Sequence, residues 1–146
     1  MGMRTAISRS VLIGIRRFSA DAAPNEACGL LFGEDGLITD FQAAENVAET
    51  PESRFEIDPR TLFAALRAER EGGAKIVGYW HSHPSGEATP SVTDAAMARP
   101  DQKLWVIVGG QDVRAWLAGN GGTHGRFEEV EVIAQDRAER FAPGPR

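Results

Sequence analysis

The sequence contains a single cysteine, Cys28, among its 146 residues. One cysteine excludes a disulfide within the chain and a closed zinc site built from several thiolates, and it is typical of a reducing compartment. No run of apolar residues approaches the roughly 18 that a membrane-spanning helix needs. The first residues also lack the pattern of a signal peptide. We therefore expect a cytoplasmic protein with no membrane partner.

Excess positive charge is also lacking, because 21 acidic residues outnumber 16 lysines and arginines and leave a net charge of −5. Nucleic-acid binding draws on basic side chains that contact phosphates, so this balance argues against a nucleic-acid partner. The length fits one domain that can bury its own core. We expect this domain to span residues 1–135 and residues 136–146 to form a loose tail.

Apolar patterns and capping residues predict helices mixed with short strands. Helices are expected to begin at Ser8, at Asp58 with a buried stripe of Leu62, Phe63 and Leu66, and at Ser91 or Thr93. Strands are expected over residues 26–33, 37–47, 55–57, 76–81, 104–108, 113–117 and 127–133, with a Gly-rich loop over 119–125. This order predicts an α/β sandwich around one mixed or antiparallel sheet.

The most informative stretch runs from His81 to Asp94 and reads HSHPSGEATPSVTD. Residues two apart on a strand point to the same side, so His81 and His83 can face one point. Pro84 ends the strand because it cannot donate to a sheet ladder. Ser91 and Asp94 are three apart, which places both on one face of a new helix. Two imidazoles and one carboxylate form a plausible ligand set for a catalytic zinc ion, with a fourth position open to water.

The same residues carry a family resemblance. The pattern His-x-His, seven residues, Ser, two residues, Asp resembles the zinc motif of the JAMM (MPN-plus) metallopeptidases, and it fits here without a gap. Residues 25–33 (NEACGLLFG) and 46–59 are similar to segments of small bacterial members, and the first contains their upstream glutamate, at Glu26. The resemblance covers roughly residues 5–120. It implies a JAMM/MPN-like fold of cytidine-deaminase-like architecture, a single-domain sandwich with one curved sheet flanked by helices.

The resemblance also implies a role for each site residue. His81, His83 and Asp94 would hold Zn²⁺, and zinc lowers the pKa of a bound water towards about 7. Glu26 would accept the proton of that water and deliver it to the leaving amine. Ser91 would donate a hydrogen bond to the developing oxyanion.

The activity implied by the resemblance is that of a zinc-dependent peptidase or isopeptidase. Its partner would be a ubiquitin-like or sulfur-carrier protein, which it would cut after a C-terminal Gly-Gly. A glycine tail suits a narrow channel over a metal because only glycine lets the backbone pass so close. The sequence does not say whether the scissile bond is a peptide, an isopeptide or a bond to free cysteine, and it leaves the oligomeric state unknown.

Several alternatives stay open at the level of sequence. Glu87, inside the loop, is a rival general base, and Ser91 can serve simply as a helix cap. Cys28 invites a cysteine-hydrolase interpretation, although a small thiol in an apolar run is usually buried. His124 is expected to be exposed and inert, and the three tryptophans to lie in the core. The chain also resembles RadC-like proteins, and a non-catalytic MPN-type binding module is the third alternative.

Overall fold

The structure is a computed structural model that describes residues 2–136, and these residues form seven strands and three helices. Residues 137–146, which make up nearly all of the expected loose tail, lie outside the described residues. The strands are β1 (Arg4–Ser8), β2 (Cys28–Glu34), β3 (Leu37–Ala44), β4 (Ile76–His83), β5 (Leu104–Gly109), β6 (Asp112–Thr123) and β7 (Phe127–Gln135). The helices are α1 (Arg9–Ala22), α2 (Pro59–Arg70) and α3 (Val92–Met97).

The strands form one mixed sheet that closes into a barrel in the order β1-β3-β2-β4-β5-β6-β7. The closing strand is β1, in which Ala6 pairs in parallel with Leu37 of β3 and with Ile133 of β7. The α/β class is confirmed. The expected helix-flanked sandwich is wrong, because the sheet closes into a barrel and strands make up more of the fold than such a sandwich implies. The five residues of β1 are too few to show a pattern of their own, and their pairing with two distant strands is a tertiary effect.

Both faces of the sheet are covered by apolar side chains. Successive side chains of β5 point to opposite faces, as the pleat requires. Val106 therefore packs in one core with Ile15 of α1, whereas Trp105 packs in a second core with Phe55, which precedes α2. The second core is the one that surrounds the candidate site, because Trp105 and Phe55 both contact His81.

The local predictions had mixed success. Helix α2 begins as expected, since Asp58 Oδ1 accepts a hydrogen bond from the Arg60 N–H at 3.0 Å and Pro59 is the first helical residue. The predicted buried stripe of this helix is wrong at Phe63, which is 62% exposed, and at Leu66, which is 36% exposed. The predicted loop over 119–125 is also wrong, because β6 continues through Thr123. No helix among residues 2–136 is both long and apolar enough to cross a membrane.

Candidate active site

The site lies at the carboxyl end of β4, between β2 and β5. His81 pairs with Cys28 of antiparallel β2, and His83 pairs with Gly109 of parallel β5. His81 is fully buried, and the His83 side chain is 12% exposed. Both imidazoles lie on the same face of the strand, as the two-residue spacing predicts, and His81 is the more deeply buried of the two.

Three donor atoms converge next to β4. His81 Nε2 lies 3.1 Å from His83 Nε2, and each nitrogen lies 3.2 Å from Asp94 Oδ2. Ligands bound to zinc at roughly 2.0–2.1 Å in a tetrahedron are separated by roughly 3.3–3.4 Å. The three atoms thus lie at about the spacing that a shared zinc ion requires, and the donor set suits that metal.

Asp94 is fixed by the first turn of α3. The Ser91 N–H donates to Asp94 Oδ2 at 2.9 Å, and the Asp94 N–H donates to Ser91 Oγ at 2.9 Å, so the two residues form a capping box. The Ser91 oxygen acts as acceptor here, and its own proton stays available for another acceptor. Burial acts to raise the pKa of Asp94, but hydrogen bonds with His81 and His83 outweigh it and hold the pKa well below its usual value.

Glu26 reaches the same site from the segment before β2. It is 5% exposed, and its Oε1 is fully buried without a hydrogen-bond partner among residues 2–136. A carboxylate oxygen of Glu26 and a ring nitrogen of each of His81 and His83 all lie within 4.8 Å of one another. Two carboxylates, those of Glu26 and Asp94, therefore border the imidazole pair, and either could complete a three-donor set.

The environment of Glu26 changes its acidity. Burial raises its pKa from 4.5 to about 7, nearby Asp94 adds to the rise, and His83 opposes it. An acid with a pKa near neutrality can both accept and return a proton at physiological pH. The carboxylate of Glu26 therefore has the chemical properties of a general base that later acts as an acid.

The loop after β4 orients His83. Its Nδ1 lies 2.7 Å from the Glu87 carbonyl oxygen. Gly109 gives this loop room, because a Cβ at that position would lie 2.6 Å from the Ala88 nitrogen. The Glu87 side chain is exposed, so this residue supports the site through its backbone. Of the two candidate bases, Glu26 is the buried one.

The structure also gives the surroundings of Cys28, His124 and the three tryptophans. Cys28 is 1% exposed, and burial, with the nearby Glu26, raises its pKa to about 12, so the thiol is protonated at neutral pH. His124 is exposed, as expected, but its Nε2 lies 3.1 Å from the carbonyl of Pro90, next to Ser91. The three tryptophans, Trp80, Trp105 and Trp116, are buried as expected.

A cleft of about 240 Å³ opens beside the carboxylate of Glu26. One wall comes from the loop after β4 and the other from the segment between β3 and α2, and the cleft is smaller than pockets that enclose whole ligands. Its lining consists of Glu26, Glu52, Ser53, His83, Pro84, Ser85, Gly86 and Ser91.

Sequence reasoning missed one residue that shapes this region, Asn46. Its side-chain amide donates to the carbonyls of Glu26 at 3.0 Å and Arg54 at 3.1 Å, and its oxygen accepts from the Glu56 N–H at 3.0 Å. A single asparagine outside any regular pattern carries no local signal of such a role. The similarity of residues 46–59 to small bacterial JAMM proteins indicates that the segment matters, but it does not single out Asn46 within it.

Comparison with protein families gives a match over most of the chain. A model described as prokaryotic homologs of the JAB domain matches residues 8–119. The desampylase of Haloferax volcanii is 35% identical over 131 residues, which cover 86% of this chain and 90% of the relative. The probable TtuB-protein conjugate cleaving protease of Thermus thermophilus is 32% identical over 82% of this chain and 80% of its own. The CysO-cysteine peptidase of Mycobacterium tuberculosis is 30% identical over 61% of this chain and 62% of its own.

Solved structures give the same picture of the fold. A protein of Desulfitobacterium hafniense, solved in solution, has a TM-score of 0.78 at 27% identity and covers 93% of this chain and 96% of its own. A JAB1/MPN domain protein of Archaeoglobus fulgidus has a TM-score of 0.58 at 23% identity, with 90% of this chain and 100% of its own covered. The second likeness concerns the fold alone.

Proposed function

Because the chain belongs to the family of prokaryotic homologues of the JAB domain, we propose that it is a zinc-dependent peptidase or isopeptidase. Its substrate would be a conjugate of a ubiquitin-like or sulfur-carrier protein that ends in Gly-Gly. The expected resemblance to the JAMM (MPN-plus) family is confirmed by this membership. The observation that carries the proposal is the convergence of His81, His83 and Asp94 beside the buried, unpartnered carboxylate of Glu26.

The metal would be held by His81, His83 and Asp94. Their atoms have the mutual distances that favour a shared cation, and Asp94 stays ionised because of its low pKa. Bound Zn²⁺ would supply Lewis acidity, which lowers the pKa of a bound water to about 7. We assign the third ligand to Asp94 rather than Glu26, since Asp94 Oδ2 lies within 3.2 Å of both imidazoles.

The proton transfers would belong to Glu26. Its carboxylate would accept a proton from the attacking water and then donate it to the nitrogen that leaves. The absence of a hydrogen-bond partner for Oε1 within the described part of the chain supports this assignment, because that oxygen is free to accept. Burial brings the pKa of this carboxylate to about 7.

Ser91 would stabilise the charge that forms on the carbonyl oxygen of the scissile bond. Its oxygen is fixed by the Asp94 N–H, so the direction of the hydroxyl proton is the remaining freedom. Ser91 also lines the cleft with Glu26. A donor held in advance stabilises an oxyanion without reorganisation during the reaction.

The substrate class rests on the cleft and on the named relatives. Those relatives are a desampylase, a probable TtuB-protein conjugate cleaving protease and a CysO-cysteine peptidase. The cleft beside Glu26 would hold the tail, and glycine gives the smallest cross-section next to a metal. The conjugate's leaving group would be a lysine amine, a main-chain amine or cysteine.

The test is a set of fusions of small Gly-Gly-ending proteins, each joined to a lysine-linked partner, a short peptide or a cysteine. We expect cleavage after the second glycine, identified by intact mass, and its loss when that glycine becomes valine. A chelator should stop the reaction and added Zn²⁺ should restore it. Cleavage that survives chelation and stops on thiol alkylation would overturn the proposal.

A further inference from the structure

The two imidazoles of the site are held in different ways. His83 has a backbone acceptor for its second nitrogen, since Nδ1 lies 2.7 Å from the Glu87 carbonyl. His81 has none within residues 2–136, because its Nδ1 is buried without a hydrogen-bond partner. A histidine that ligates a metal usually donates its second N–H to an acceptor, and this contact fixes the orientation of the ring. Contacts other than a hydrogen bond at Nδ1 must therefore orient this side of the His81 ring.

Aromatic rings surround His81 instead. The Phe55 ring stacks on the imidazole with centroids 4.4 Å apart and planes inclined by 23°. The Trp105 ring meets it nearly at right angles, with centroids 5.6 Å apart and an interplanar angle of 87°. The Phe55 and Trp105 rings also contact each other, with centroids 5.5 Å apart. The stacked ring blocks rotation of the imidazole about its last side-chain bond.

Phe55 is in turn held by its neighbours in the chain. Asn46 donates to the Arg54 carbonyl and accepts from the Glu56 N–H, on either side of Phe55. The phenyl ring is 4% exposed and belongs to the same apolar core as Trp105. Its position is therefore fixed both by the backbone and by packing.

We propose that Phe55 is a positioning residue of the metal site, whose stacked ring orients His81 and favours its metal-bound form. An imidazole that binds a cation gains positive character, and the face of an aromatic ring attracts positive charge. The stacking energy is then larger with metal than without it, so the ring raises metal affinity. This inference rests on the proposed zinc site.

The test compares Phe55→Leu with Phe127→Leu. Phe127 is fully buried in the same core, and its ring centroid lies 5.1 Å from that of Trp105. Unlike Phe55, it makes no ring contact with His81. Both variants lose a buried ring, so both should lose thermal stability. Only Phe55→Leu should bind zinc more weakly in competition with a chromophoric chelator, by about 3- to 10-fold. Phe55→Tyr keeps the ring and should bind like the wild type.

A second readout uses Co²⁺ in place of zinc. The visible absorption of bound Co²⁺ depends on ligand geometry, so it should change in Phe55→Leu and stay unchanged in Phe127→Leu. Equal zinc affinities and equal Co²⁺ spectra in the two variants would overturn the role of Phe55. Failure of the wild-type protein to bind zinc, or equal binding by His81→Ala/His83→Ala, would instead overturn the zinc site itself.

Discussion

The side chain of Asn46 donates a hydrogen bond to the backbone carbonyl of Glu26 at 3.0 Å. The Glu26 N–H donates to the Pro51 carbonyl at 2.8 Å, so both backbone groups of Glu26 are held by the segment between β3 and α2. The Glu26 side chain makes no hydrogen bond through its buried Oε1 within the described residues. The position of that carboxylate therefore depends on its backbone, and Asn46 is the side chain that supports it.

Asn46→Asp should slow turnover by up to about 100-fold, because a displacement of about 1 Å at a catalytic group can cost about 10²-fold. The substitution keeps the acceptor oxygen but removes the donors to Glu26 and Arg54. Steady-state kinetics with a cleavable fusion measure the effect, and zinc content should stay near that of the wild type. Asn120→Asp, at an exposed position of β6, is the matched control. Equal loss in the two variants would contradict a role for Asn46.

The protein should bind about one Zn²⁺ per chain, as three protein ligands and an open position imply. His81→Ala and Asp94→Ala should each remove most of the metal, measured by elemental analysis after dialysis. His124→Ala changes the remaining histidine, which lies outside the donor set, and should keep the metal. The metal-free protein should remain folded because both faces of the sheet pack against apolar cores. Full zinc in His81→Ala/His83→Ala would refute the ligand assignment.

Glu26→Gln should retain zinc and lose most turnover, since a general base typically contributes about 10²- to 10⁴-fold. Glu87→Gln is the matched control, because this exposed residue contacts the site through its carbonyl. It should keep nearly full activity in the same assay. The opposite ranking of the two variants would mean that Glu87 is the base.

Glu26 should also make the stability of the metal-free protein depend on pH. Its folded-state pKa of about 7 lies above the ordinary value of 4.5, so folding favours the protonated form. The stabilisation is fully present below about 4.5 and is lost as the pH rises through about 7. Glu26→Gln cannot ionise, so its melting temperature should exceed that of the wild type at pH 8 by several degrees and match it at pH 4. Calorimetry at both pH values tests this, and a difference of the same size at both would contradict it.

Ser91→Ala should retain zinc and lower kcat by roughly 10²- to 10³-fold, the usual effect of losing one oxyanion donor. It should also cost about 1 kcal/mol of stability, because Ser91 caps α3. Ser91→Gly separates the two effects, since glycine costs a cap only a few tenths of a kcal/mol. Ser53→Ala, in the opposite wall of the cleft, is the matched control. Near wild-type turnover in Ser91→Gly would restrict Ser91 to capping.

The convergence of His81, His83 and Asp94 could be predicted from the sequence for a physical reason. His81, His83, Ser91 and Asp94 lie within one strand, one loop and the first turn of one helix, where local geometry decides which way side chains point. The start of α2 was predictable on the same grounds, because Asp58 and Pro59 act on the adjacent residues. Glu26 was a candidate site residue only because of the resemblance to a family, since nothing in the adjacent sequence points to it.

The tertiary structure decided the rest. Pairing of β2 with β4 sets Cys28 opposite His81, and the Ala27 N–H donates to Ser82 Oγ at 2.8 Å. Because Glu26 directly precedes these residues, the same pairing places it next to the imidazoles. Closure of the barrel depends on β1 joining β3 and β7. Side-chain chemistry and local spacing determined which groups could bind a metal. Contacts between segments distant in the chain determined which carboxylate stands beside them, because such pairing leaves no local pattern in the sequence.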